Sequence, residues 1–191
     1  MKYLRKLCLE IMDSRPTKAY WYEGEVLFYR AYLCRLGPWV LYLHRYMRPD
    51  PERGLHDHPM KAWIWIICGG YLEHRLKGFS QRGMEIFCYY RRPGSLYHVT
   101  ENHFHRIGSL LNGDSWSFFL ARYVLGKAWG LLSFDASTVG DGDKRFIYTH
   151  VSGGLEDTHW WDDAPNGCIV RELAEWESNS SSHIRQSRKR Q

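Results

Sequence analysis

Residues 54–70 read GLHDHPMKAWIWIICGG, and this stretch decides how the rest of the chain is read. His56 and His58 stand one residue apart, and the apolar run from Ala62 to Cys68 behind them ends in Gly69-Gly70. Along a strand alternate side chains face the same way, so the two imidazoles project to one side and Asp57 to the other. Two ligands on one face need a third from elsewhere. ENHFHRI, residues 101–107, offers His103 and His105 at the same spacing in front of another strand. Catalytic metal sites commonly use three protein ligands and leave positions open, and neutral imidazole suits Zn, Fe, Ni and Cu. Taken alone, an H-x-H pair before a strand is more often ordinary loop polarity, so the surrounding pattern has to decide.

That pattern is β. The chain has 191 residues, 44% hydrophobic and 16% aromatic, with 9 Trp and 13 Tyr, which suits one domain with a full core and favours strands. Runs rich in Val, Leu, Tyr, Phe and Trp recur from Glu25: EVLFYRAYLC, WVLYLHRYM, KAWIWIIC, YLEHRL, MEIFCYYR, GSLYHVT, FHRIGSLL and WSFFLARYV. They are separated by GP, RPDPERG, GG, KGFSQRG, RPG, TEN and NGD, which are turn signals. Eight strands with short turns predict a closed all-β sandwich or barrel, of which the jelly roll is the common solution.

Leu4, Leu7, Cys8 and Ile11 fall at helical spacing and predict a short amphipathic N-terminal helix docked on the barrel. Residues 1–24 are thus a helix and lead-in, 25–176 the barrel with a C-terminal wrap, and 177–191 a disordered basic tail. A short helix is expected at VRELAEWE, residues 170–177. Four of the five net positive charges come from Arg185, Arg188, Lys189 and Arg190, leaving +1 for the rest, so nucleic-acid contact is confined to weak binding through the tail. The apolar runs fall far short of the roughly 20 residues that span a bilayer, and the N-terminus lacks a secretory pattern, so a cytoplasmic protein without membrane contact is expected. Five scattered cysteines without C-x-x-C spacing imply reduced thiols, and no P-loop, nucleophile elbow or dinucleotide fingerprint is present.

With these motifs in view, the chain resembles the cupin superfamily, whose fold is a double-stranded β-helix. His56 and His58 fill the H-x-H of its first motif, and Gly70 stands twelve residues beyond His58, where that motif closes. The second motif begins at Gly94 and reaches a histidine eleven residues later, which selects His105 over His98 and His103. The glutamate expected at position 62 or 63 is replaced by Ala62 and Trp63. The resemblance therefore implies a three-histidine site, as in cysteine-dioxygenase-type cupins, where Fe(II) is held and O2 attacks a bound thiol. It covers roughly residues 41–125, and the same runs also look like small bacterial and phage cupins without an agreed activity.

The resemblance implies one divalent first-row metal on His56, His58 and His105, Fe(II) foremost, with Zn, Ni or Mn as the other candidates. It points to a dioxygenase acting on a small polar substrate. A Zn- or Ni-dependent isomerase or lyase, and a non-catalytic module that binds a ligand or forms a homodimer, are the alternatives. Around the ligands, Glu73 reads as an acid, a base, a replacement ligand or an exposed strand residue, since alternation pairs it with Tyr71 without saying which face is inside. Tyr97 and His98 are candidate proton donors and Arg45 a candidate fork for a substrate carboxylate or phosphate. Asp57 is expected to cap its turn or pair with Arg53, and Trp63, Trp65 and Trp116 to fill the core.

Overall fold

The computed structural model describes residues 2–52, 54–80, 83–134, 146–151 and 169–173. One helix, α1 (Lys2–Asp13), precedes thirteen strands: β1 (Thr17–Tyr22), β2 (Glu25–Leu36), β3 (Trp39–Tyr46), β4 (Leu55–His56), β5 (Met60–Cys68), β6 (Tyr71–Ser80), β7 (Gly83–Arg91), β8 (Leu96–Val99), β9 (His105–Leu110), β10 (Ser115–Tyr123), β11 (Trp129–Phe134), β12 (Phe146–Val151) and β13 (Ile169–Leu173). They form two sheets, ordered β13-β1-β2-β3-β10-β5-β8 and β12-β11-β4-β9-β6-β7. Non-consecutive neighbours such as β3-β10-β5 and β4-β9-β6 are the crossovers of a jelly roll, in agreement with the all-β expectation. No helix among the described residues is long and apolar enough to cross a membrane.

The period-2 pattern of β5 shows how the sequence selects its faces. Met60, Ala62, Ile64, Ile66 and Cys68 are buried while Lys61, Trp63 and Trp65 are exposed. Trp63 and Trp65, at 45% and 49% exposure, do not fill the core; Trp116 does, at 0%. The run is continuous in hydrophobicity, so its composition hides an alternation that the pleat imposes. The inner face of the larger sheet contributes Val40, Tyr42, Ile64, Ile66 and Phe119 to a cluster that Tyr71 and Ile107 complete from the smaller sheet. A second cluster lies on the outer side, where Cys8 and Met12 of α1 cover Leu43, Cys68 and Trp116. The helix docks on Cys8 and Met12, not on Leu4 and Leu7, which are 45% and 51% exposed, because Arg5 on the same face pairs with Asp114 and donates to the Asn112 carbonyl.

The turn that ends the opening stretch needs its glycines. Gly69 and Gly70 have φ of +79° and +104°, and a Cβ on them would lie 2.0 Å from the Asp114 carbonyl oxygen and 2.5 Å from that of Arg91. No side chain fits there. Five strands lie outside the eight runs read from sequence: β1, β4, β11, β12 and β13. The helix expected over 170–177 is instead a strand over Ile169–Leu173, paired in parallel with β1, so pairing at the sheet edge overrides a local pattern that fits a helix. Most of the expected C-terminal wrap and the basic tail, residues 177–191, lie outside the described residues.

Candidate metal centre

Strand pairing brings the histidines together. β4 lies against β9 with His56 directly opposite His105, and His58 follows two residues on, where the chain crosses from the smaller sheet to the larger. The three ring centroids are 4.9 to 5.0 Å apart. Each ring offers a nitrogen, and these atoms lie within 4.8 Å of one another; His58 Nε2 and His105 Nε2 are 2.7 Å apart. Imidazoles around a first-row ion, each bonded at roughly 2.0–2.1 Å, require a cluster of this size, so the donor set and its spacing fit a metal.

His105 is oriented from behind. Its Nδ1 donates to Glu73 Oε1 at 2.6 Å, which fixes the tautomer and leaves Nε2 as the lone pair aimed at the cluster. His103 Nε2 donates to the same oxygen at 3.0 Å, while Arg91 gives two bonds to Oε2, from Nε at 2.8 Å and Nη2 at 2.5 Å. Glu73 is 0% exposed and shares the inner face with Tyr71, so it is not an exposed strand residue. Burial alone would raise its carboxyl, but the bonds from His103 and His105 and the charge of Arg91 outweigh that and hold it well below the usual carboxylate range. Both oxygens are engaged by N–H donors. Glu73, His103 and His105 also meet the distance requirement of a ligand set, yet the hydrogens between them occupy the space an ion would need.

His58 is held neutral, chiefly by burial and then by the neighbouring His56, His105 and His103 and the more distant Arg30. A neutral imidazole is the form that ligates. Beside His56, Asp50 Oδ2 lies 3.9 Å from Nδ1 while accepting from the Ile107 amide at 2.6 Å. Asp57, 1% exposed, neither faces the cluster nor caps its own turn. It accepts from the Gly130 amide at 2.6 Å, from Lys127 Nζ at 2.6 Å and from the Tyr148 hydroxyl at 2.9 Å, so it fastens β11 and β12 to the ligand loop. Arg53 lies outside the described residues.

Other residues singled out from sequence are dispersed. Tyr97 is buried on the inner face, its hydroxyl bonded to that of Tyr71 and its ring under the Arg91 guanidinium at 3.8 Å. Burial pushes its phenol well up, so it keeps its proton. His98, one residue on, faces outward and packs on Trp63 at 4.9 Å, away from the cluster. Arg45 points to the helix-covered side, where it pairs with Asp114 at 2.9 Å and lies over Trp116. Neither His98 nor Arg45 reaches the histidines, because each stands one residue out of phase with the inner face. Arg91, Lys127 and Tyr148 escaped the sequence reading, and His103, weighed there only as a ligand, bonds Glu73 instead: the partners of these four are 18 to 91 residues distant, and no local motif marks such pairs.

No known protein family matches the sequence, and no curated protein matches it. Solved structures with a similar fold include Fe(II) HppE, at 12% identity over 58% of this chain, with a TM-score of 0.44. A cupin-like protein from Thermotoga maritima is 12% identical over 56% of this chain and 76% of its own, with a TM-score of 0.41. KdgF from Halomonas sp. is 16% identical over 55% of this chain and 87% of its own, with a TM-score of 0.39. The chain spans 57% of the length of HppE. The likeness is one of fold, and the jelly-roll architecture is read from the two sheets themselves, with the three histidines that the resemblance to cupins implies gathered between them.

Proposed function

We propose that the chain is a mononuclear metal protein in which His56, His58 and His105 hold one divalent first-row ion, Fe(II) foremost, and that it acts as a dioxygenase on a small polar substrate. The observation that carries this reading is the division of labour on one imidazole: His105 gives Nδ1 to a buried carboxylate and presents Nε2 to two other histidines. Such a carboxylate–histidine arrangement fixes ring orientation and raises ligand basicity. A neutral three-imidazole set leaves the ion's charge uncompensated, and bound iron would supply Lewis acidity and redox chemistry there.

The chain's own residues then have distinct tasks. Glu73 is a positioning residue that holds the His105 proton, and Arg91 and His103 keep it ionised. Tyr97 retains a proton on the inner face. Ala62, 0% exposed, faces inward at the place where the cupin motif carries its glutamate, so no fourth protein ligand comes from β5. Trp63, the other candidate for that place, faces out.

The test is oxygen uptake by protein loaded anaerobically with Fe(II), across a panel of thiols and small acids. Substrate-dependent uptake that disappears in His58→Ala agrees with the reading. Stoichiometric metal with no uptake on any member of the panel counts against the dioxygenase assignment while leaving the metal site standing.

A further inference from the structure

We propose that the outward face of the larger sheet, centred on Trp63 and Trp65, docks on the surface of an anionic phospholipid bilayer. The face is assembled by the ladder. Leu43 on β3 stands opposite Phe118 on β10, Phe118 opposite Trp65 on β5, and Trp65 opposite Leu96 on β8. In the next row Leu41 is opposite Leu120, Leu120 opposite Trp63, and Trp63 opposite His98. In the third, Leu36 pairs with Trp39 and Arg122 with Lys61. These positions alternate with Val40, Ala62, Ile64, Val99 and Ala121 of the inner cluster, so their side chains point away from the barrel interior.

An antiparallel sheet with one face on the core ordinarily turns polar residues outward, and this one does not. Leu96 and Leu36 are exposed together with the two tryptophans, while Leu41, Phe118 and Leu120 are half-buried. His98 packs on Trp63 at 4.9 Å and Phe118 on Trp65 at 5.9 Å, so both indoles are braced by ring neighbours. Helix α1 covers one end of the face, over Leu43 and Trp116, and leaves its own Tyr3, Leu4 and Leu7 exposed. A contiguous apolar face of this kind marks a contact with a partner or a membrane. The reading differs from the absence of membrane contact expected from sequence. That expectation rested on segment length, and a face built by strand pairing contains no long apolar run.

Area and charge decide what covers the face. Strands about 4.8 Å apart and rows about 6.8 Å apart give it an extent of roughly 300–500 Å². A stable protein–protein contact buries about 800 Å² on each partner, so a second copy seated here would be weakly held. A bilayer imposes no such limit, because it needs no complementary outline and its attraction adds apolar burial to headgroup charge. The ionised side chains within the rows are both cations, Lys61 and Arg122, with Glu101 at the margin 3.6 Å from Lys61. On α1, Lys2 and Lys6 stand exposed beside Tyr3 and Leu7, and Glu10 lies 3.8 Å from Lys6. A second copy packing through the same patch would offer these cations no acid, whereas anionic headgroups do. Tryptophan is also the side chain enriched where bilayer meets water, its ring apolar and its N–H wet.

The inference does not rest on the metal reading. Its test is co-sedimentation of the full-length protein with vesicles of phosphatidylcholine alone and of phosphatidylcholine with a third of phosphatidylglycerol. We expect binding to the mixed vesicles that weakens as salt is raised, and little binding to phosphatidylcholine alone. Trp63→Ser combined with Trp65→Ser should weaken it roughly tenfold or more, and Trp63→Phe combined with Trp65→Phe should keep most of it. Circular dichroism shows whether each variant is folded. Brominated acyl chains give a readout on the wild type itself: they should quench part of its tryptophan emission, a part absent from the double Phe variant. The basic tail is separated by Arg185→Gln, Arg188→Gln, Lys189→Gln and Arg190→Gln in one full-length chain, which should retain the tryptophan-dependent binding. Absence of binding to the mixed vesicles overturns the inference, as does binding that is indifferent to both tryptophans and lost with the tail charges. A dimer in solution that the double Ser variant dissociates, in protein that ignores the vesicles, also overturns it and assigns the face to a second copy.

Discussion

Glu73 and His105 are joined at 2.6 Å, carboxylate Oε1 to imidazole Nδ1, on the inner face of the smaller sheet, and the opposite edge of the same ring lies 2.7 Å from His58. The orientation of a candidate ligand is thus set by a residue 32 positions earlier in the chain, itself held by Arg91 and His103.

Glu73→Gln keeps the shape and removes the charge. Changes to the partner that orients a ligating histidine cost about 10- to 100-fold in metal affinity, and that loss is expected here while the protein stays folded, as checked by competition with a chromophoric chelator. Glu73→Ala takes the buried carboxylate from the partly buried Arg91 and from His103 and His105, and should cost about 3–5 kcal/mol in denaturant unfolding. Unchanged metal affinity in Glu73→Gln would mean that the carboxylate serves the fold alone.

Acid should destabilise the metal-free protein. His44, His58 and His103 are each held below 6.5, foremost by burial. A histidine whose folded pKa lies below its unfolded value is protonated first in the unfolded chain, so stability falls as pH drops below 6.5. Glu73, held below 4.5, contributes stability that is present above 4.5 and lost as pH falls through its folded value. Both act in one direction. The thermal midpoint of chelated protein should be flat above about pH 7 and decline below it; a midpoint that rises on acidification would contradict the burial of these groups.

Asp57→Asn tests the fastening of β11 and β12. An amide cannot accept from Lys127, Tyr148 and the Gly130 amide as the carboxylate does, and a buried donor left unsatisfied costs about 1–3 kcal/mol. Faster hydrogen exchange at the Gly130 amide is the expected readout, with the amides of β5 unchanged. Equal protection in both forms would show that the segment is held by other contacts.

The tryptophans separate inner from outer positions. Trp116→Ala should cost about 3–5 kcal/mol, as large-to-small core changes do. Trp63→Ala, on a half-exposed residue, should cost about 1 kcal/mol or less by urea unfolding. A reversal of that order would contradict the face assignment of β5 and β10.

The eight runs from Glu25 to Tyr123 were legible because each carries aromatic and β-branched residues between Gly, Pro and Asp turns, and the Gly94–His105 interval singled out the histidine that the fold gathers with His56 and His58. What was hidden depends on pairing. β4 is two residues long, and β13 exists through its parallel ladder with β1, so neither has a local signature. The phase of β5 was hidden for another reason: Trp63 and Trp65 are as apolar as Ile64 and Ile66, and only the pleat distinguishes them. The same one-residue ambiguity made Arg45 and His98 candidates, although their side chains lie on the outer face. Glu73 was seen, but its role depends on Arg91 and His103, which reach it across the sheet.

The most direct test of the central claim is metal content, measured by elemental analysis on protein purified without a histidine tag. The account predicts close to one first-row metal per chain in wild type and a sharp fall in both His58→Ala and His105→Ala, with folding preserved. Wild-type protein that is fully folded and takes up no first-row metal would contradict it.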